Sequence, residues 1–269
     1  MDEQLQDIGL AVGAGGPTGG PFIDAALDVI VDRTGWLPGS AKRIVGTSAG
    51  AFVAARTKPL SETDIRDDEH AKVAKSLASL GNLEEFSATA GTRLVRELRL
   101  LGGRAVALLA PSERDQALYD VPEPPYHPGA SVVAVEHTWG TRHEYNLADN
   151  LNDAASMIRA SAAIPFKNGP IEIAGRKHID GAVHSANNVD LLDPEQCPLV
   201  VVISPMIPAS GGSLVSKFHR SQLIEELRPW KAAGRDAIVI MPNEDEHASR
   251  RDRDFFREAG TRAAERLFV

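Results

Sequence analysis

Short runs of consecutive apolar residues alternate along the chain with longer stretches in which apolar residues recur every three or four positions. The short runs are typical of strands buried on both faces, and the periodic stretches are typical of helices packed on a sheet. The predicted strands cover residues 8–12, 43–45, 131–137, 143–147, 171–173, 177–179, 199–203 and 237–240, and the predicted helices cover residues 22–31, 50–55, 151–160, 214–231 and 254–267. Strands that alternate with helices favour a mainly parallel sheet covered on both sides. The sequence therefore predicts an α/β fold, specifically a three-layer α/β/α sandwich.

The middle of the chain departs from this alternation. From about residue 60 to about residue 128 the pattern is helical, with a charged run over 64–70, an apolar helix over 92–101 and a proline-rich stretch over 121–125. A length of 269 residues is compatible with one sheet of this kind. We therefore predict a single domain over residues 1–269, with a helical insertion over about 60–128.

Composition and charge narrow the class of protein. The chain is 43% hydrophobic and 25% charged, which is typical of a globular protein. Its formal net charge of −8 argues against a general attraction to nucleic acid. Because Cys197 is the one cysteine, the chain has neither an intramolecular disulfide nor a zinc ribbon, and it is compatible with a reducing compartment.

The sequence carries no recognisable export or membrane-spanning signal. The stretch over 1–7 is acidic, where a secretory signal peptide would be basic and then apolar. No apolar run approaches the ~18 residues of a spanning helix. These observations predict a cytoplasmic protein.

A serine stands in a sequence context typical of a nucleophile. Gly46, Ser48 and Gly50 fit the pattern G-x-S-x-G, with a predicted strand before the serine and a predicted helix after it. A nucleophile on such a sharp turn needs small neighbours so that the backbones can approach closely, and Ala49 also meets this need. A glycine-rich turn with a serine helix cap is the structural alternative.

A glycine-rich segment over 13–20 follows the first predicted strand. Such a segment could present amide donors to the same site as Ser48. Glycine-rich loops also bind phosphate groups, but neither G-x-G-x-x-G nor the P-loop pattern is satisfied here. Pro17 also removes one amide donor from the segment.

The serine needs a base, and the sequence offers two kinds. His184, His219 and His247 all follow Ser48, as the histidine does in the order serine, acid, histidine. Asp180 has the more distinctive context, because it ends a predicted strand and is followed by the small residues Gly181 and Ala182. A carboxylate could take the serine proton directly if the two groups meet. An ordinary Asp-Gly turn is the alternative interpretation.

Three separated segments together resemble the patatin-like phospholipase family. The segment over 46–50 is similar to the nucleophile elbow of the family, the segment over 180–182 to its Asp-Gly-Ala motif, and the segment over 15–19 to its oxyanion loop, written G-G-x-[RK]-G. The resemblance implies a dyad of Ser48 and Asp180, with no histidine in the mechanism. It also implies oxyanion donors among the backbone amides of Ala14, Gly15 and Gly16, with Gly19 supporting the loop.

The resemblance extends to further segments and has two departures. The stretch over 160–166 is similar to the segment that precedes the aspartate in the family, and Asn187 and Asn188 follow as an asparagine does there. Thr18 stands where the family usually has Arg or Lys, so a positive charge beside the oxyanion loop is missing. The stretch over 183–186 is also unusual.

The resemblance implies acyl transfer from a lipid ester to water, without a metal or organic cofactor. The expected partners are a lipid or small acyl ester, and no nucleic acid. Arg93, Arg96, Arg99 and Arg104 accompany leucines in the predicted insertion; we interpret this helix as a solvated face, with transient contact to a membrane surface as the alternative. Two other functions stay open: an inactive binding or scaffold protein that keeps the fold, and a histidine-assisted esterase.

Overall fold

A mixed sheet of eight strands forms the centre of the computed structural model, which describes residues 7–60, 67–82 and 120–269. The strands are β1 (Ile8–Val12), β2 (Arg43–Thr47), β3 (Ala130–Glu136), β4 (Arg142–Asn146), β5 (Ile171–Ile173), β6 (Arg176–Asp180), β7 (Leu199–Ile203) and β8 (Asp236–Ile240). The α-helices of the described residues are α1 (Gly16–Thr34), α2 (Ala49–Arg56), α3 (Asp67–Ala78), α4 (Ala154–Ser161), α5 (Leu214–Ala232), α6 (Glu244–Ala248) and α7 (Arg253–Glu265). Short 3₁₀ helices cover Pro38–Ser40, Gly181–Val183, Val189–Leu191 and Arg266–Phe268.

One part of the sheet is parallel and the other is antiparallel. Strands β3, β2, β1, β7 and β8 lie side by side in that order and pair in parallel. Strands β4 and β6 pair antiparallel with β3, and β5 continues the sheet antiparallel to β6. The predicted α/β fold is therefore confirmed, with an antiparallel end on the mainly parallel sheet.

Alternate residues of β1 face opposite layers of the core. Leu10 packs with Phe22 of α1 and Phe256 of α7 on one face of the sheet. Ala11 faces the other side and packs in a cluster with Trp230 of α5. Because both faces of β1 are covered, all five of its residues are buried, which is why the strand reads as a continuous apolar run.

Helix α1 begins earlier than the glycine-rich pattern suggested. The sequence indicated a loop over 13–20, but the helix already starts at Gly16. Pro17 does not interrupt the helix, because amides in the first turn of a helix have no acceptor within the helix and the missing N–H of proline is not needed there. The fixed φ of proline also suits this position. The loop that follows β1 is therefore short, and its last residues lie at a helix N-terminus.

The predicted insertion is described only in part. Helix α3 lies within it and agrees with the helical pattern there. The predicted helix over 92–101, with Arg93, Arg96, Arg99 and Arg104, lies outside the described residues. The single-domain organisation and the limits of the insertion stay predictions.

Helices α1 and α7 approach so closely that a glycine is required at their crossing. A Cβ atom on Gly260 would lie 2.2 Å from the carbonyl oxygen of Phe22. This carbonyl belongs to the backbone of α1 and cannot move as a flexible side chain would. We expect Gly260→Ala to lower the free energy of unfolding by roughly 1–3 kcal/mol, since overpacking forces the two helices apart.

Gly20→Ala is the matched control for this prediction. Gly20 also lies in a helix, but a Cβ there would meet nothing within 4 Å. Its substitution should leave stability unchanged or raise it by up to ~1 kcal/mol through helix propensity. Urea denaturation measures both effects, and equal stability of the two variants would contradict the close crossing.

Candidate active site

Ser48 lies on a sharp turn between β2 and α2. Its backbone has φ 55° and ψ −115°, a conformation that non-glycine residues rarely adopt. The neighbouring glycines allow this turn: a Cβ on Gly50 would lie 1.9 Å from the carbonyl oxygen of Val12, and one on Gly46 would lie 2.6 Å from that of Gly50. Small residues are therefore required around the serine because β1 and α2 approach too closely for a side chain at Gly50.

Strand register brings Asp180 to Ser48. Strands β2 and β4 both pair with Val133, so they occupy opposite edges of β3. Strands β4 and β6 both pair with Ala134, so β6 shares the edge of β3 with β2. Thr47 pairs with Val133 and Asp180 pairs with Ala134, the next residue. The end of β2 therefore meets the end of β6 head to head.

This junction leaves no room for a side chain after the aspartate. A Cβ on Gly181 would lie 2.3 Å from the carbonyl oxygen of Val133. Glycine therefore allows the chain to leave β6 directly over the point where β2 ends. The Asp-Gly pair is consequently part of a packed junction between three strands.

Ser48 and Asp180 form a buried hydrogen-bonded pair. The Ser48 hydroxyl donates to Oδ2 of Asp180 over 2.8 Å. The other carboxylate oxygen, Oδ1, accepts from the backbone amide of Ala182, also over 2.8 Å. Both side chains are only 3% exposed. The carboxylate is thus fixed on one side by the backbone and aims its other oxygen at the hydroxyl.

Burial changes the proton affinity of Asp180. Desolvation raises the pKa of this carboxyl to about 7, against the opposing effects of the Ala182 amide and the Ser48 hydroxyl. A carboxylate with a pKa near neutrality is a far stronger proton acceptor than an exposed aspartate. The pair therefore has the chemistry of a serine beside a general base.

Ser161, which is not among the predicted site residues, holds the turn at Ser48 from the other side. The buried hydroxyl of Ser161 accepts a hydrogen bond from the Ser48 amide over 3.0 Å. Two residues later, the carbonyl oxygen of Ala163 accepts from the Asp180 amide over 2.9 Å. The stretch over 160–166, which is similar to the segment before the aspartate in the family, therefore contacts the backbone of both Ser48 and Asp180.

One of the three predicted oxyanion donors is wrong. The Ala14 amide already donates to the carbonyl oxygen of Ala186 over 2.8 Å, as the Gly13 amide does to that of Ile203 over 2.9 Å. These bonds fix the loop after β1, but they occupy its first two donors. Ala14 therefore has a structural role here.

The amides of Gly15 and Gly16 are differently placed. They lie at the N-terminus of α1, where the first amides of a helix have no partner within the helix. Ala49 has the same position at the start of α2, directly after Ser48. Gly19 packs against Ala49, because a Cβ on Gly19 would lie 3.0 Å from the Ala49 side chain. Two helix N-termini therefore meet beside Ser48.

The asparagines and Thr18 tie these loops to the rest of the fold. The Asn188 side chain donates to the Thr47 hydroxyl over 3.1 Å, next to the turn at Ser48. A Cβ on Gly13 would lie 2.2 Å from Oδ1 of Asn187, so this amide packs directly on the loop after β1. Thr18 donates its hydroxyl to the carbonyl oxygen of Arg250 over 2.7 Å.

The candidate histidines have other partners. His219 contacts Gln222 over 3.0 Å, and His247 contacts the carbonyl oxygen of Met206 over 2.9 Å. His184 follows the 3₁₀ turn after Asp180. His178 packs beside Tyr145, whose hydroxyl lies 2.8 Å from its Nε2. Within the described residues, the Ser48 hydroxyl donates its hydrogen bond to the Asp180 carboxylate and not to a histidine.

A cavity of about 310 Å³ opens beside Ser48. Its wall is formed by Gly16, Pro17, Gly20, Ser48, Ala49, Phe52, Arg56, Asp120, Ala162 and Ile164. Ala49, Phe52 and Arg56 lie three and four residues apart, so they share one face of α2. Among the described residues of the wall, most are apolar, and the charged ones are Asp120 and Arg56, which pairs with Asp24.

The described residues show neither a metal cluster nor a membrane-spanning helix. In the described residues, no group of three or more His, Cys, Asp or Glu side chains is arranged to hold a metal ion. Among the described helices, none combines the length and the apolar character needed to cross a membrane.

Comparison with known proteins identifies the family. The family model for patatin-like phospholipase matches residues 39–193, more than half of the 269 residues. The chain therefore belongs to the patatin-like phospholipase family, whose members are lipid acyl hydrolases.

Among solved structures, the chain is similar to VipD from Legionella pneumophila, with 13% identity and a TM-score of 0.43. The similarity covers 97% of this chain and 66% of that one, so the chain spans less than two thirds of VipD. No curated protein matches the sequence.

The hydrogen bond from the Ser48 amide to Ser161 can be tested directly. Ser161→Ala leaves a buried amide without its acceptor, which typically costs about 1–3 kcal/mol of stability. Because this amide belongs to the turn that aims Ser48, we also expect slower ester turnover. Urea denaturation and kcat/KM for a soluble ester measure the two effects.

Ser204→Ala serves as the control. Ser204 is equally buried, but in the described residues its hydroxyl has no hydrogen-bond partner. Its removal should change neither stability nor turnover. A Ser161→Ala variant that behaves like Ser204→Ala would contradict the role of Ser161.

The raised pKa of Asp180 predicts a pH dependence of stability. Between the ordinary pKa of 3.8 and about 7, the folded protein retains a proton on Asp180 that the unfolded chain releases. Stability from this group therefore declines as pH rises through that range. Asp180→Asn carries no charge, so its melting temperature should rise relative to that of the wild type as pH is raised from about 4 to about 7. A constant difference would mean that the pKa is not raised.

Proposed function

We propose that this chain hydrolyses carboxylic ester bonds of lipids with Ser48 as nucleophile and Asp180 as general base. The observation that carries the proposal is the buried hydrogen bond between the serine hydroxyl and the carboxylate, at 2.8 Å. This distance lies within the range needed for direct proton transfer. Membership of a lipid acyl hydrolase family supports the choice of substrate.

The reaction takes place in two stages. Asp180 accepts the Ser48 proton as the hydroxyl oxygen attacks the ester carbonyl, and the alcohol leaves with a proton returned by Asp180. Water then attacks the acyl-serine and gives a proton to Asp180. The bond from the acyl carbon to the Ser48 oxygen breaks, Asp180 returns the proton to that oxygen, and the carboxylic acid is released. The pKa of Asp180 at about 7 suits both directions of proton transfer near neutral pH.

The negative charge that develops on the carbonyl oxygen needs amide donors. We assign this role to the amides of Gly15 and Gly16 at the start of α1 and of Ala49 at the start of α2. The positive ends of both helix dipoles add to the stabilisation. Loss of one oxyanion donor typically lowers turnover by ~10²–10³-fold, so these amides matter nearly as much as the base.

The cavity beside Ser48 is the proposed acyl site. Its apolar wall along α2 suits a hydrocarbon chain. Asp120 contributes to this wall and lies within the predicted insertion over 60–128. We propose that the insertion belongs to the same domain and completes the acyl site.

The dyad is tested with a short-chain soluble ester and purified variants. Ser48→Ala and Asp180→Asn should each lower kcat/KM by at least ~10³-fold, because one lacks the nucleophile and the other lacks the base. His184→Ala, His219→Ala and His247→Ala should each stay within about tenfold of wild type. The Ser204→Ala protein provides the unchanged control.

The same experiment separates the two alternatives. Loss of ester turnover in one histidine variant, together with an active Asp180→Asn variant, would favour a histidine-assisted esterase. An inactive wild type that is folded would favour a binding or scaffold protein, the alternative that agrees with Thr18 in place of a basic residue. For the active dyad, kcat/KM should fall about tenfold per pH unit below about pH 7, as Asp180 becomes protonated.

A further inference from the structure

Arg142 is the outer end of a chain of hydrogen bonds that ends beside Ser48. Its guanidinium donates to Oδ1 of Asn188 over 3.2 Å and to Oδ1 of Asp190 over 2.7 Å. The Asn188 side chain in turn donates to the Thr47 hydroxyl over 3.1 Å. Two consecutive hydrogen bonds therefore lead from β4 to the residue that directly precedes the proposed nucleophile.

Strand register explains how one asparagine side chain can join these residues. Arg142 pairs with Val135 on one edge of β3, and Thr47 pairs with Val133 on the other edge. Val133 and Val135 are two residues apart, so they point to the same face of the sheet, and their paired neighbours share that face. Asn188 thus lies across β3, between the strands on its two edges.

The Asn188 amide also holds the segment that follows Asp180. Its Nδ2 donates to the carbonyl oxygen of Ser185 over 2.8 Å. The Ser185 hydroxyl accepts from the backbone amides of Asn187 and Asn188 over 3.2 and 3.1 Å. The Ser185 amide donates to the carbonyl oxygen of Gly181, the residue after the proposed base. One side chain therefore links the residue before the nucleophile to the segment after the base.

These contacts are made out of reach of solvent. Asn188 and Thr47 are 0% exposed, and Ser185 is 1% exposed. The backbone of Asn188, with φ 52° and ψ 38°, is in the left-handed region, which asparagine tolerates better than most residues. A buried amide needs a partner at each of its polar atoms, so the orientation of this amide has a large effect on its energy.

Arg142 determines which end of the Asn188 amide faces which partner. Arginine has donors and no acceptor, so the amide oxygen of Asn188 faces it. The NH₂ group then faces the Thr47 hydroxyl and the Ser185 carbonyl oxygen, and both of its protons are used. In the reversed orientation, the NH₂ group would face the guanidinium and the amide oxygen would face a carbonyl oxygen, so like groups would meet at two contacts.

A second arginine joins the same two strands without contacting this amide. Arg43 of β2 pairs with Glu144 of β4, and its side chain is 34% exposed, compared with 20% for Arg142. Arg43 begins β2, whereas Ser48 follows the other end of that strand. The two ion pairs are therefore similar in exposure and differ in their connection to the turn at Ser48.

We propose that Arg142 is a positioning residue for the Ser48 nucleophile. By fixing the orientation of the Asn188 amide, it holds the residue before the nucleophile and the segment after Asp180 in place. It acts through Asn188 and contacts none of the reacting atoms. Its effect on catalysis rests on the proposed function, whereas its effect on the turn at Ser48 does not require turnover.

Arg142→Met tests the proposal, because methionine keeps much of the apolar stem and has no N–H donor. With a short-chain soluble ester, kcat should fall about tenfold and KM should stay within about twofold, since the aim of the hydroxyl changes and the acyl site does not. Arg142→Lys retains a donor and should keep kcat within about threefold of the wild type. Arg43→Met is the matched control and should keep the wild-type kcat.

Coupling between Arg142 and Thr47 tests the route through Asn188. Thr47→Val removes the acceptor with little change in shape. Because the two residues are connected through Asn188, the loss in the double variant Arg142→Met/Thr47→Val should stay within about twofold of the larger single loss. Asn188→Asp keeps an acceptor for Arg142 and loses both donors, so it should lower kcat as far as Arg142→Met does, even if the latter does not fold.

Hydrogen exchange measured by mass spectrometry gives a readout that needs no substrate. The peptide over 46–53 contains the turn at Ser48, and its amides should exchange at least about threefold faster in Arg142→Met than in the wild type. The same peptide should keep the wild-type exchange rate in Arg43→Met.

The outcomes separate this proposal from the proposed function. Single losses that multiply in the double variant, equal losses in Arg142→Lys and Arg142→Met, or a wild-type kcat in Asn188→Asp would overturn the role of Arg142. If the wild type hydrolyses esters and exchange over 46–53 does not respond to Arg142→Met, the dyad stands and the positioning role fails. If no ester is hydrolysed yet exchange rises in Arg142→Met and not in Arg43→Met, the proposed function fails and the hold of Arg142 on the turn remains.

Discussion

The candidate site depends on the head-to-head meeting of β2 and β6 along one edge of β3. Because Thr47 pairs with Val133 and Asp180 with Ala134, successive residues of one strand place the two chain segments end to end. The 2.8 Å contact between the Ser48 hydroxyl and Asp180 follows from that register. A shift of one residue would turn the Asp180 side chain to the opposite face of the sheet.

The burial that shapes this pair has opposing effects. Removal of Asp180 from water raises its pKa to about 7, which disfavours the charged form in the folded protein. The same desolvation makes the carboxylate a stronger base for Ser48. The hydrogen bonds from Ala182 and Ser48 limit the shift, so the group can be charged at a pH where a serine hydrolase would operate. Strain at Ser48, with its φ of 55°, belongs to the same compromise between stability and function.

Much of the fold could be predicted from the sequence because its signals are local. The continuous apolar runs of β1 and β7 reflect burial on both faces, and the elbow around Ser48 has a steric requirement that its small neighbours reveal. The predicted beginning of α1 is too late, because five glycines in the segment over 13–20 indicate a loop, whereas Pro17 suits the first turn of a helix. The antiparallel strands β4, β5 and β6 have no comparable sequence pattern, because the direction in which a strand pairs is set by the connections between strands and not by the residues of the strand itself.

The parts of the site that could not be predicted depend on contacts between distant residues. The resemblance predicts that the Ala14 amide is free for substrate, but this amide donates to the carbonyl oxygen of Ala186. No residue near Ala14 in the sequence indicates that hydrogen bond. Ser161 holds the Ser48 amide across 113 positions of the chain, and a buried serine has no sequence signature of its own. The link from Thr18 to Arg250 spans 232 positions and joins the first turn of α1 to the segment after α6.

Reaction with a fluorophosphonate, followed by mass spectrometry of the intact chain and of its peptides, examines the central claim most directly. The reagent forms a stable adduct with a serine only where a base activates the hydroxyl and donors hold the phosphonyl oxygen. The account predicts one phosphonyl group per chain, located on Ser48, and no adduct in Asp180→Asn. A folded wild type that stays unlabelled, or an adduct that forms on Ser48 as fast without the Asp180 carboxylate, would contradict it.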